Sequence, residues 1–311
     1  MKIAFLFPGQ GSQTVGMGRA FAETSGAAKA VYAEANDALG FDLARLSFEG
    51  PEAELALTAN TQPAVLTASV AAAAAARERG LLPAMAAGHS LGEYSALVVA
   101  GALRFADAVR LVRWRGECMQ AAVPIGVGAM AAIMGLDLEA VEALCAEAAR
   151  GEVVTIANIN SPAQIVIAGH RGAVERAVAL ATDRGGRKSV MLPVSAPFHC
   201  PLMQSAAEQL ATAIETLPVA DPAIPVVRNV DAGVSRTGAE VKQALLQQVA
   251  HPVRWTACVE RLARDSADAF VELGPGRVLS GLLKRILDGA RSFSVEDPAG
   301  LEKTLAALGR S

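Results

Sequence analysis

The chain has 311 residues, 52% of them hydrophobic and 19% charged, with a net charge of −3. That is enough for one large α/β domain with an insertion, or two domains, and the composition is that of a folded chain. The charge balance offers no global basic field for nucleic acid, and four scattered cysteines (Cys118, Cys145, Cys200, Cys258) without C-x-x-C spacing point to reduced cytoplasmic thiols rather than a zinc site or disulfide framework.

Residues 3–7 read as a buried first strand and not a signal peptide, because Pro8-Gly9-Gln10-Gly11 cuts the apolar run too soon. The Gly-rich loop that follows has neither the lysine of a P-loop nor Gly-x-Gly-x-x-Gly spacing. Its backbone N–H groups could complete an oxyanion hole, or form an ordinary turn. The alanine run 71–76 ends in Arg77-Glu78-Arg79, too short and too weakly apolar to span a membrane.

Gly88-His89-Ser90-Leu91-Gly92 comes next, after an apolar strand at 82–87 and ahead of a helix-forming run from Glu93 to Ala100. Serine between two glycines at a strand-to-helix junction describes a nucleophile elbow. The glycines tolerate the sharp turn, and the serine Oγ stands at a helix mouth where N–H groups can stabilise an oxyanion.

On a helix over 110–122, at about 100° per residue, Arg110, Arg113, Glu117 and Gln120 form a wet face. Arg115 falls among Leu111, Val112, Cys118, Met119 and Ala122 on the apolar face. A guanidinium there needs an acceptor. It is either a structural salt bridge to a buried carboxylate, a snorkelling side chain, or a bidentate clamp for a substrate acid.

Pro124-Ile125-Gly126-Val127-Gly128 marks a boundary. Beyond it come a strand (129–134), a helix (137–150) and strands at 153–159 and 164–168 around an Asn160-Ser161-Pro162 turn. A helix (172–184) and a strand (188–194) complete the ferredoxin-like β-α-β-β-α-β order. After Pro197 helices and apolar strands return, among them 224–227 and 269–273. The expected architecture is α/β. Residues 1–125 and 196–311 form a large parallel-sheet, hydrolase-like subdomain, and 126–195 form an inserted ferredoxin-like subdomain.

A serine nucleophile needs a base. Of four histidines, His89 is next to Ser90 and points to the other face, and His170 falls in a polar, solvated loop. His199 and His251 remain, each close to a proline, and spacing does not choose between them.

Seven stretches recur in one order: Phe-Pro-Gly-Gln-Gly-Ser-Gln at 7–13, Thr-Gln-Pro at 61–63, Gly-His-Ser-Leu-Gly-Glu-Tyr at 88–94, Arg-Gly at 115–116, Asn-Ser-Pro-Ala-Gln at 160–164, Pro-Phe-His at 197–199 and Gly-Pro-Gly at 274–276. Together they resemble the malonyl-CoA:acyl carrier protein transacylase family over essentially the whole chain. The resemblance implies a cytoplasmic acyltransferase for fatty-acid synthesis, with malonyl-CoA as substrate and no bound cofactor or metal. The second substrate is the phosphopantetheine thiol of an acidic acyl carrier protein. It implies Ser90 as nucleophile, His199 as base, and the backbone N–H groups of Gln10 and Leu91 as oxyanion hole. Arg115 then holds the malonyl carboxylate, and the Gln248 carbonyl orients the histidine in a dyad. Gln62 and Asn160 match positions near the acyl pocket, and Phe198 and Leu91 match the malonyl-selective pattern. His251-Pro252 departs from the family's usual residue before that proline, close to Gln248. Arg187-Lys188 and Lys284-Arg285 are either carrier-docking cations or solvated surface charge. The alternatives are a malonyl loader for a polyketide synthase, a malonate-decarboxylase transacylase, and a serine thioesterase or esterase.

Overall fold

Ile3–Phe7 is buried at every position, the pattern of a strand covered on both faces. In the computed structural model, which describes residues 1–310, it lies inside the larger of two sheets. The strands in chain order are β1 (Ile3–Phe7), β2 (Met85–Gly88), β3 (Gly128–Met134), β4 (Val154–Ser161), β5 (Gln164–His170), β6 (Lys188–Met191), β7 (Val226–Val227), β8 (Val234–Ser235), β9 (Ala269–Leu273) and β10 (Ser292–Val295). The large sheet has the order β10-β9-β1-β2-β7-β8 and is parallel except for the β7–β8 pair.

Alternation along β1 divides the large core. Ile3, Phe5 and Phe7 pack with the helices Thr58–Glu78 and Phe105–Ala121, while Ala4 and Leu6 pack with Trp255–Arg264 and Val278–Ile286. Helices on both faces are what a buried parallel sheet requires.

The second sheet is antiparallel, in the order β4-β5-β3-β6. Helices Leu138–Ala149 and Arg171–Asp183 cover one face through Ile133, Ile165, Ile167, Val141 and Val174. Met130, Ala132, Val166 and Ala168 on the other face join the core of the large unit. A bridge ties the two: Ile159 N–H donates to the Val253 carbonyl at 2.9 Å and Val253 N–H to the Ala157 carbonyl at 2.9 Å. This is the expected mixed α/β architecture, with an antiparallel ferredoxin-like sheet beside a parallel one.

Three local expectations are corrected. The last strand of the small sheet stops at Met191, not 194; Leu192 N–H still reaches the Met130 carbonyl, but Pro193 has no N–H to continue the ladder. Asn160 and Ser161 belong to β4, and the turn is Pro162-Ala163, since Ser161 pairs with Gln164. His170 ends β5 half-buried, its Nδ1 accepting the Val153 N–H at 2.9 Å, and is not in a solvated loop. No described helix is long and apolar enough to cross a membrane.

Candidate active site

The elbow joins β2 to the helix Gly92–Val99, and close packing fixes its glycines. A Cβ on Gly88 would lie 1.9 Å from the Gly92 carbonyl carbon, and one on Gly92 would lie 2.0 Å from the Phe7 carbonyl oxygen. Squeezed between them, Ser90 takes φ +52°, a left-handed conformation uncommon outside glycine.

Ser90 Oγ is 2.7 Å from His199 Nε2. His199 also has a left-handed backbone, at φ +59°. Its Nδ1–H donates to the Gln248 carbonyl at 2.9 Å, which leaves the Nε2 lone pair for the serine hydroxyl. Burial first, then the positive charge of Arg115, lowers the imidazole pKa to about 3, so it is neutral at ordinary pH. Of the two open candidates only His199 lies against Ser90; the His251 side chain is exposed and its Nδ1 is 2.8 Å from the Gln247 carbonyl. The unusual His251-Pro252 leaves the Gln248 carbonyl aimed at His199. His89 turns away, its Nε2 2.8 Å from Asn160 Oδ1 and its ring tilted against Trp255.

Arg115 is 1% exposed, as its place on the apolar helix face requires, yet it has no carboxylate in contact among the described residues. Nη1 donates to Gln62 Oε1 at 2.7 Å, and Nη2 to Gln248 Oε1 at 3.0 Å and Ser90 Oγ at 3.2 Å. The guanidinium carbon lies 5.4 Å from the Tyr94 ring centroid, and Nε has no acceptor among the described residues. Burial lowers its pKa, with Tyr94 and Glu93 opposing. A buried cation whose direct partners are all neutral leaves room for a carboxylate in contact. The expected alternatives of a salt bridge or a snorkelling chain do not describe it.

The N–H groups of Gln10 and Leu91 make no hydrogen bond to another described residue. They follow β1 and β2, neighbours through the Phe7–Gly88 pairing, so both loops rise from the same C-terminal sheet edge. The Ser90 N–H is already engaged, donating to Asn229 Oδ1 at 2.7 Å. Gln62 is buried against Arg115, and Phe198 is buried beside His199 in the chain. Asn160 contacts His89, not Ser90 or Arg115.

Three features went unread in the sequence. Asn229 clamps the elbow, its Nδ2 donating to the Gly88 carbonyl at 2.8 Å while Oδ1 holds the Ser90 N–H. The Gln248 side chain bonds Arg115 through Oε1 and the Ser90 carbonyl through Nε2. Glu93 is fully buried beneath both; burial pushes its pKa up to about 7 against hydrogen bonds from Gln248 and Asn229 and the charge of Arg115. The only signal for Glu93 was a carboxylate inside an otherwise apolar helix start.

Of the basic pairs, Lys188 and Arg285 lie toward one end of the small sheet, while Lys284 lines a groove with Ser292, Phe293 and Asp297. Lys188 and Gln164 both pair with Met134 across adjacent strands, on the sheet face away from the helices. Arg285 Nη1 donates to Gln164 Oε1 at 3.2 Å. Arg187, Lys188, Lys284 and Arg285 are all exposed.

Residues 4–306 match the acyl transferase domain family. The malonyl CoA-acyl carrier protein transacylase of Escherichia coli (strain K12) is 49% identical over 305 residues, covering 98% of this chain and 99% of its own. The solved acyl-carrier-protein S-malonyltransferase of Burkholderia pseudomallei 1710b superposes with TM-score 0.96 at 49% identity, over 98% of this chain and 100% of that one. A type II PKS acyl-carrier protein in complex with its malonyl-transacylase gives TM-score 0.96 at 45% identity, over 99% and 100%.

Proposed function

The chain belongs to the acyl transferase domain family and is an acyltransferase, and from that premise we propose that it moves a malonyl group from malonyl-CoA to the phosphopantetheine thiol of an acyl carrier protein, through an ester on Ser90. His199 takes the hydroxyl proton at Nε2 as Ser90 Oγ attacks the thioester carbonyl. The developing oxyanion sits between the free N–H groups of Gln10 and Leu91. Its collapse breaks the carbon–sulfur bond, and coenzyme A leaves with the proton from His199. The Gln248 carbonyl, not an aspartate, supports the imidazolium. The carrier thiol then repeats the sequence in reverse on the malonyl-Ser90 ester, and neither half draws on a bound cofactor.

One observation carries the choice of acyl group: a buried guanidinium without a carboxylate, 3.2 Å from the Ser90 hydroxyl. A malonyl carboxylate supplies the missing charge and orients the ester for the thiol. Gln62 and Phe198 complete the acyl-binding wall, and Asn160 supports it from behind His89. The exposed cations Arg187, Lys188, Lys284 and Arg285 are the docking residues for an acidic carrier. Four unpaired thiols fit a reducing compartment, and we assign the reaction to the cytoplasm.

Intact-protein mass spectrometry tests the scheme. Malonyl-CoA should add one malonyl group, absent in Ser90→Ala, that leaves only when carrier protein is added. Loss of the group without any thiol acceptor would instead make the protein a serine hydrolase. The relative seen with a type II PKS carrier favours a second reading, a polyketide loader. Comparing kcat/KM for a fatty-acid carrier and a polyketide carrier separates the two.

A further inference from the structure

We propose that Glu93 is the positioning residue of the arginine clamp: it fixes which way the Gln248 amide faces, and through that amide aims Arg115. The inference rests on the malonyl-transfer reading and names a residue for it.

The Gln248 side chain is the joint. Its Nε2 faces acceptors: Glu93 Oε2 at 2.8 Å, the Ser90 carbonyl at 2.9 Å and, more distantly, Asn229 Oδ1 at 3.3 Å. Its Oε1 faces a donor, Arg115 Nη2, at 3.0 Å. Turning the amide over would set its NH2 against a guanidinium and its oxygen against a carboxyl and a carbonyl. Glu93, Arg115, Asn229 and the Gln248 side chain are buried and only Ser90 is half-buried, so the mismatch against the carboxyl and the guanidinium would stand unrelieved by water. The Ser90 carbonyl belongs to the elbow and cannot yield; Glu93 supplies the second acceptor that makes the orientation one-sided.

Glu93 also collects the Asn229 N–H, at 3.0 Å on the same Oε2. Asn229 in turn grips the elbow at Gly88 and Ser90. A single oxygen therefore ties the first turn of the elbow helix to residues 229 and 248. Both donors use Oε2, which leaves Oε1 available for a proton, so the carboxyl accepts in either charge state. The role belongs to an acceptor at that point and not to the charge. Nothing in the transfer chemistry itself draws on Glu93, since His199 is oriented by the Gln248 backbone.

The test compares kcat/KM for malonyl-CoA and acetyl-CoA in wild type, Glu93→Gln, Glu93→Leu and Gln248→Met. Glu93→Gln keeps an acceptor where Oε2 lies and should hold the malonyl-to-acetyl ratio within about threefold of wild type. Glu93→Leu frees the amide and should lower that ratio about tenfold or more, the scale of one buried hydrogen bond to a charged group. Gln248→Met keeps the backbone carbonyl for His199, removes the amide and should lower the ratio equally. In Glu93→Leu/Gln248→Met the ratio should be no lower than in Gln248→Met alone. A merely structural Glu93 would depress both substrates together and leave the ratio unmoved, which overturns the proposal. So does a Glu93→Gln ratio as low as that of Glu93→Leu. If Glu93→Leu does not fold, an unchanged ratio in Gln248→Met still sinks it, because Glu93 would have nothing to act through. A wild type with no malonyl adduct and no malonyl preference defeats the underlying reading instead.

Discussion

Replacing Arg115 by methionine, which roughly keeps its volume, separates a substrate clamp from a structural arginine. In the proposed ester the malonyl carboxylate meets a guanidinium that is 1% exposed and bonded only to neutral groups. Removing one member of such a buried pair costs about 3–5 kcal/mol. At about 1.4 kcal/mol per decade, malonyl transfer should fall by roughly two to nearly four orders of magnitude. Acetyl transfer, with no carboxylate to strand, should stay within about threefold. Folding should respond quite differently. The substitution relieves the free protein of a buried cation with no carboxylate in contact, worth several kcal/mol of desolvation, but strands the amide oxygens of Gln62 and Gln248 at about 1–3 kcal/mol each. These offset, so Tm should move by only a few degrees. Competition between malonyl-CoA and acetyl-CoA, read by intact mass on Ser90, measures the ratio; calorimetry measures Tm. An unchanged malonyl-to-acetyl ratio together with a large fall in Tm would return Arg115 to a structural role and refute the reasoning.

A neutral His199 predicts that labelling of Ser90 by an uncharged fluorophosphonate stays flat from pH 8 to about pH 5, and an acid limb near pH 6.5 would contradict it. The same depressed pKa makes the unfolded chain bind the extra proton below about pH 6.5, so stability falls on acidification. Relative to His199→Gln, the wild type should lose about 2 kcal/mol between pH 7 and pH 5, measured by urea titration. Charge reversal at Lys284 and Arg285 should lower kcat/KM for the carrier about tenfold more than for malonyl-CoA, with a weaker salt dependence; equal effects on both would remove the docking assignment. Gly92→Ala places a Cβ 2.0 Å from the Phe7 carbonyl oxygen and should cost more than about 4 kcal/mol or prevent folding, whereas a normal Tm would show that the elbow can relax.

What was legible in the sequence followed from how local each signal is. The elbow is five contiguous residues, and the place of Arg115 on an apolar stripe is a matter of helical period, so both are visible without a fold. The order of the small unit was legible because alternating strands and amphipathic helices follow each other over 129–191 with short turns. Its errors came from single residues: Pro193 ending a ladder, and His170 finding the Val153 N–H. The histidine proposed as base was not legible from spacing, since His199 reaches Ser90 across 109 positions; within the sequence only the family resemblance separated it from His251. The support beneath the site was hidden for the same reason. Glu93, Asn229 and Gln248 are scattered over 155 positions and each is unremarkable alone. A glutamate in a first helical turn reads as a partner for the helix dipole, and here it is buried and serves two distant donors instead.

The site's departures from ordinary folding share one direction. Ser90 and His199 both hold left-handed backbones, a strain of about 1–3 kcal/mol each that persists only where packing leaves no alternative. The imidazole is held neutral, the guanidinium is buried with no carboxylate in contact, and two backbone N–H groups have no acceptor among the described residues. Each would be a defect in a core built for stability. In the proposed reaction each is answered by a group that a malonyl thioester brings: a carbonyl carbon for Ser90, a developing oxyanion for Gln10 and Leu91, a carboxylate for Arg115. Any ester or thioester answers the first two, so the third is what would distinguish a malonyl transferase from a hydrolase built on the same elbow.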